Sequence, residues 1–138
     1  MTPGARIQAA IEILEQVWSW NQAADRVADM YLKKRRYAGS SDRRGIQGTL
    51  YEILRRRSRL DWWVERSGSS LTAGPRSRLI ANLALSDKSS PNQIATLFSG
   101  QNHCPDTLSE TEHRLADALY GKPLNHSNMP SSVALEYP

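Results

Sequence analysis

Hydrophobic residues return every three or four positions over most of this chain, and nowhere does a period of two persist long enough to make a strand. The first stripe is Ile7, Ala10, Ile11, Leu14, Val17 and Trp18. It follows Thr2 and Pro3, a capping residue and a proline suited to a first helical turn, and predicts a helix to about residue 20. A second stripe, over about residues 23–36, turns Val27, Met30 and Tyr31 inward, and Gly39 ends it. Ser40 or Ser41 caps the third and longest element, whose inward set is Ile46, Leu50, Ile53 and Leu54. Carried forward, that register would put Arg57 on the apolar face. A break is therefore expected near Arg57, with Leu60, Trp63 and Val64 starting a short new helical piece to about residue 66.

The Ser/Gly-rich stretch 67–74 reads as a loop. Pro75 opens a helix carrying Leu79, Ile80, Leu83 and Leu85, and Ser90 before Pro91 starts a shorter one with Ile94, Leu97 and Phe98. Residues 100–108 read as an irregular connection. Ser109 and Glu112 have the spacing of a capping box, Leu115, Ala118 and Leu119 follow, and Gly121 is the stop. The pattern predicts an all-α fold, a compact bundle of six to seven helices over residues 1–121. Residues 122–138 hold three prolines and no periodicity, and are expected to be a linker leading away from the bundle. Apolar Val133, Leu135 and Tyr137 would be odd on a free tail and hint at a further domain beyond it.

A length of 138 residues suits one domain with one core, and 39% hydrophobic residues is a globular composition. No apolar run approaches membrane-spanning length and the opening residues do not read as a signal peptide, so a cytoplasmic protein without membrane partners is expected. The single cysteine, Cys104, excludes a disulfide framework and a multi-cysteine zinc site. Around it, His103, His113 and His126 do not fall at metal-ligand spacings, and there is no phosphate loop or dinucleotide-binding glycine pattern. No catalytic residue, metal or cofactor is expected within these residues.

Charge alters the picture most. Residues 33–59 hold ten cations, Lys33, Lys34, Arg35, Arg36, Arg43, Arg44, Arg55, Arg56, Arg57 and Arg59, against Asp42 and Glu52. The segment carries +8 while the whole chain carries +4, so the remaining residues are mildly acidic. A solvated helix face normally mixes signs; this density calls for a compensating anion, and arginine forks suit phosphate. On a straight helix Arg44, Gly48, Tyr51 and Arg55 fall opposite the Ile46/Leu50/Ile53 stripe, a basic row with one aromatic in it. The row suits RNA, with arginines on phosphates, Gly48 admitting a close approach and Tyr51 available to stack. Large aromatics more often pack, however, and for Tyr51 and Trp62 packing is the expectation, with Gly48 then allowing a close helix crossing. The GXXG string Gly45-Ile46-Gln47-Gly48 matches a KH-domain clamp only literally, since no strands flank it.

The stretch from Arg36 to Val64 resembles the NusB-like N-terminal domain of bacterial ribosomal RNA cytosine-5 methyltransferases. The likeness rests on Ser41-Asp42-Arg43, Leu50-Tyr51-Glu52-Ile53-Leu54-Arg55-Arg56 and Leu60-Asp61-Trp62, with Ala5-Arg6, Ala9-Ala10 and the ending Met129-Pro130 through Tyr137-Pro138 adding to it. It implies an RNA-binding helical domain that places a methyltransferase on ribosomal RNA. The S-adenosylmethionine-binding catalytic half and its cysteine would lie C-terminal to these residues, and Cys104 matches none of that family's cysteine motifs. The expected contacts to RNA are Lys33, Lys34, Arg35, Arg36, Arg43, Arg44, Arg55, Arg56 and Arg59, with the catalytic half as a second partner. Two other readings compete: a protein-interaction domain whose basic band docks on an acidic protein or on its own catalytic half, and a helix-turn-helix DNA binder.

Overall fold

The computed structural model of the protein describes residues 1–136. Among them are eight helices and no strand, so the fold is an all-α bundle: α1 (Pro3–Trp20), α2 (Ala24–Lys33), α3 (Ser40–Arg55), α4 (Arg57–Arg66), α5 (Pro75–Leu85), α6 (Pro91–Leu97), α7 (Glu110–Leu119) and the single turn α8 (Ser131–Ala134). No helix is long and apolar enough to cross a membrane.

Two helices organise the rest. In α5 every residue from Ser77 to Leu85 is buried, the signature of a helix surrounded on all sides, and it packs against α1, α3, α4, α6 and α7. α1 buries the Ala9/Ile13/Leu14/Val17 side and packs on α2, α3, α5 and α6. Thr2 starts it, its hydroxyl accepting from the Ala5 amide at 3.1 Å, and Asn21 ends it with a left-handed φ of 50°. Gly4 is needed there, because a Cβ would meet both the Leu97 carbonyl and Cys104 Sγ at 2.7 Å.

α2 and α3 form an antiparallel hairpin: Tyr51, late in α3, reaches Asp25 at the start of α2, while Arg43, early in α3, reaches Leu32 at the end of α2. α2 is shorter than its pattern predicts, and Met30 is exposed rather than inward; Val27, Ala28, Tyr31 and Leu32 form the buried side. Gly39, not Ser40 or Ser41, occupies the N-cap position of α3. Asp42 supplies the missing cap by accepting from the Gly39 amide at 3.0 Å, and it ties α3 to α1 through Arg6 Nε at 2.8 Å. Those two bonds hold the Asp42 carboxyl at about 2, the Gly39 amide being the larger cause.

The break expected near Arg57 falls at Arg56, whose φ of −101° and ψ of 9° leave the helical range. It lets α4 turn Leu60, Trp62, Trp63 and Val64 into the core. The Ser109/Glu112 capping box is present, with reciprocal bonds of 2.9 and 3.1 Å. Glu112 also takes two bonds of 2.8 Å from Arg76; burial pushes its carboxyl up, but these bonds and the Ser109 amide prevail and hold it low.

The 122–138 segment departs from expectation over its described part: it lies on the bundle instead of leading away. Trp63 Nε1 donates to the Leu124 carbonyl at 2.8 Å, the His126 ring packs at 5.2 and 5.6 Å from those of Trp62 and Trp63, Met129 is buried and α8 rests on α4. Periodicity could not reveal this, because the segment docks through isolated contacts and one backbone carbonyl. Val133 packs against the core and Leu135 is exposed, while Tyr137 lies outside the described residues.

Candidate nucleic-acid interface

The structure sorts the ten cations of residues 33–59 into two groups. Four have a carboxylate within 4 Å: Arg35 with Glu12, Arg56 with Glu52, Arg57 with Asp61 and Arg59 with Glu136. Among the described residues the other six, Lys33, Lys34, Arg36, Arg43, Arg44 and Arg55, have none.

The engaged group holds the fold together. Arg56 joins Glu52 at 2.8 Å to Asn82 of α5 at 3.2 Å, pinning the α3–α4 break to the central helix. Arg59 spans from α4 to the C-terminal segment, bonding Glu136 and, at 3.0 Å, Asn125. Arg35 lies over the Tyr31 ring with its guanidinium 3.4 Å from the centroid and donates to the Tyr31 carbonyl at 2.9 Å, so it caps the end of α2. These side chains were expected to meet RNA phosphates; in the structure each already has a partner within the protein.

Lys33, Lys34 and Arg36 are exposed where α2 ends, and Arg44 is exposed where α3 begins. Arg43 sits between them, partly exposed, and donates to the Ala38 and Leu32 carbonyls at 3.4 and 3.3 Å, so its charge stays uncancelled while its position is fixed. Five cations thus cluster at the hairpin turn. Arg55 is exposed at the far end of α3, roughly 16 Å from Arg44 at 1.5 Å per residue. Asp25 and Asp29 lie exposed along the first half of α2 and dilute the charge there, which concentrates the positive potential at the turn.

The row Arg44, Gly48, Tyr51 and Arg55 faces solvent at all four positions. Tyr51, expected to pack, is 50% exposed; its hydroxyl donates to the Asp25 carboxylate, which pushes the phenol up and keeps it neutral. Trp62, by contrast, is 7% exposed and packs between Trp63 and His126, as its packing expectation required. A Cβ on Gly48 would meet nothing within 4 Å, so no close helix crossing explains that glycine.

A cleft of about 450 Å³ opens beside the turn, between α1, α2 and the 100–108 connection. Gln8, Glu12, Tyr31, Lys34, Tyr37 and His103 line it, and the Tyr37 and His103 rings stack at 5.1 Å. Sequence reasoning missed this site. His103 lies far from Tyr37 in the chain and carries no motif; Tyr37, an aromatic directly after four consecutive cations, was the one available signal. No group of three or more His, Cys, Asp or Glu able to hold a metal ion occurs among the described residues. Comparison with family models, curated proteins and solved structures finds no match for this chain.

Proposed function

We propose that the protein is a non-catalytic RNA-binding module in which the α2–α3 hairpin turn meets the phosphates of a folded RNA. The observation that carries this reading is the cluster of Lys33, Lys34, Arg36, Arg43 and Arg44 at one end of the hairpin, without a carboxylate partner among the described residues. A run of cations left uncancelled, in a chain that cancels its neighbours one by one, favours an external polyanion. The exposed Tyr51 on the same hairpin adds a surface for unpaired bases, which favours RNA over duplex DNA. The resemblance to the NusB-like domain of ribosomal RNA cytosine-5 methyltransferases supplies the setting: the module positions a catalytic half, which binds S-adenosylmethionine, on ribosomal RNA in the cytoplasm.

A competition measurement tests this. Labelled stem-loop RNA is bound to the protein and challenged with unlabelled stem-loop RNA or with duplex DNA of equal length. The expected result is displacement by RNA at clearly lower concentration than by DNA, and loss of binding in a Lys34→Ala/Arg36→Ala/Arg44→Ala variant. Equal displacement by both, or full binding by the variant, would contradict the reading.

A further inference from the structure

The cleft beside the hairpin turn combines three features that a basic surface alone does not need. Its wall is aromatic: Tyr37 is 50% exposed, contributes nothing to the core and lies against His103 at 5.1 Å with the ring planes 29° apart. Its floor is polar and already organised. Tyr31 donates to Glu12, Gln8 Nε2 donates to the other Glu12 oxygen at 3.1 Å, and Arg35 stands 3.8 Å from that carboxylate, so the negative charge is compensated inside the cleft. The Gln8 amide oxygen is left with no donor among the described residues. Its rim is cationic, because Lys34 lines the opening and has no carboxylate partner among them. His103 reaches its position with a left-handed φ of 62°, in a tight turn where the Cys104 amide donates to the Gln101 carbonyl at 2.8 Å.

We infer that this cleft takes one unpaired nucleotide of the bound RNA strand, its base stacked on the Tyr37/His103 pair, its edge facing Gln8 and its phosphate at Lys34. The volume of about 450 Å³ lies within the range of small-ligand sites and leaves room for a base with its sugar. Stacking on an aromatic face tolerates any base, and the free amide oxygen of Gln8 is available to accept one hydrogen bond from an N–H on the base edge. Tyr37 follows Arg36 directly, so a strand held by the hairpin turn passes the cleft mouth. The inference rests on the RNA-binding reading and adds to it a position where the strand must be single.

The test uses stem-loop RNA with 2-aminopurine at successive loop positions, a fully paired RNA of equal length, and free adenosine monophosphate. The expected result is quenching at one loop position on binding, with Tyr37→Ala abolishing the quench and weakening loop-RNA binding about fivefold or more while leaving paired RNA unaffected. Tyr37→Phe, which keeps the ring, restores both. Because Tyr37 is half exposed, its variants are expected to melt like the parent protein, and a thermal melt checks that. If the Lys34/Arg36/Arg44 variant loses RNA while Tyr37→Ala binds loop RNA fully with the quench intact, the cleft proposal is overturned and the hairpin reading stands. Tyr37-dependent binding of adenosine monophosphate as tight as that of the loop RNA would overturn the strand as occupant. Absence of RNA binding by the parent protein would overturn both.

Discussion

Arg44 and Arg59 belong to one cationic run, yet they lie in different physical situations. Arg44 projects from α3 into solvent with no carboxylate among the described residues, whereas Arg59 is clamped between Asn125 and Glu136 of the C-terminal segment. The same contrast holds for their neighbours. On the hairpin, Lys33, Lys34 and Arg36 are uncancelled; on α4, Arg57 shares Asp61 with Arg78, which donates to that carboxylate at 2.7 and 3.2 Å. A cationic stretch therefore holds two populations, one fixed by the protein's own acids and one with no carboxylate partner among the described residues. Which residue joins which population depends on acids brought in by the fold.

Disturbing the structural population is expected to have the largest effect. Arg78→Met leaves Asp61 half buried beside a single distant arginine, and Arg78 is itself buried under the Trp18 ring, 4.2 Å from its centroid. The expected loss is about 3–5 kcal/mol of unfolding free energy in urea titrations. Arg59→Met, which removes the ties to Asn125 and Glu136 while Trp63 and α8 still hold the C-terminal segment on α4, is expected to cost about 1–3 kcal/mol and to leave RNA affinity unchanged. An equal loss of RNA affinity would merge the two populations.

On the hairpin side, Asp42 is the acid that anchors α3 without drawing on the cluster. Its carboxyl lies near 2 in the folded protein against an ordinary value of 3.8, so its contribution is complete above about pH 4 and fades as pH falls towards 2. Urea titrations at descending pH should show the parent protein converging on Asp42→Asn across that window; a constant gap would contradict the assignment. The smallest expected effect is at Gly48, mid-helix and facing open space. Gly48→Ala should raise stability by about 0.5–1 kcal/mol, read from the same titrations.

Much of the fold is legible in the sequence because helices announce themselves locally. The Thr2-Pro3 start, the Ser109/Glu112 box and the failure of the α3 register at Arg57 all follow from residues within a turn or two of each other. The site is less legible, because its decisive partners are remote. Glu136 lies 77 residues from Arg59 and the Leu124 carbonyl 61 residues from the Trp63 indole, and neither follows a period. Tyr51 illustrates the opposite limit: the helical wheel placed it on the outer row correctly, while the general tendency of aromatics to pack argued against that face. Its tether to Asp25 explains how the ring is held at the surface.

If the hairpin turn, and not the whole basic run, meets phosphate, the salt dependence of RNA affinity shows it most directly. Replacing Lys33, Lys34, Arg36 and Arg44 by alanine should flatten the slope of log affinity against log salt by roughly three units, at about 0.7–0.9 per lost phosphate contact, whereas replacing Arg57 and Arg59 should leave it unchanged. Equal flattening in both variants, or a slope near zero for the parent protein, would contradict it.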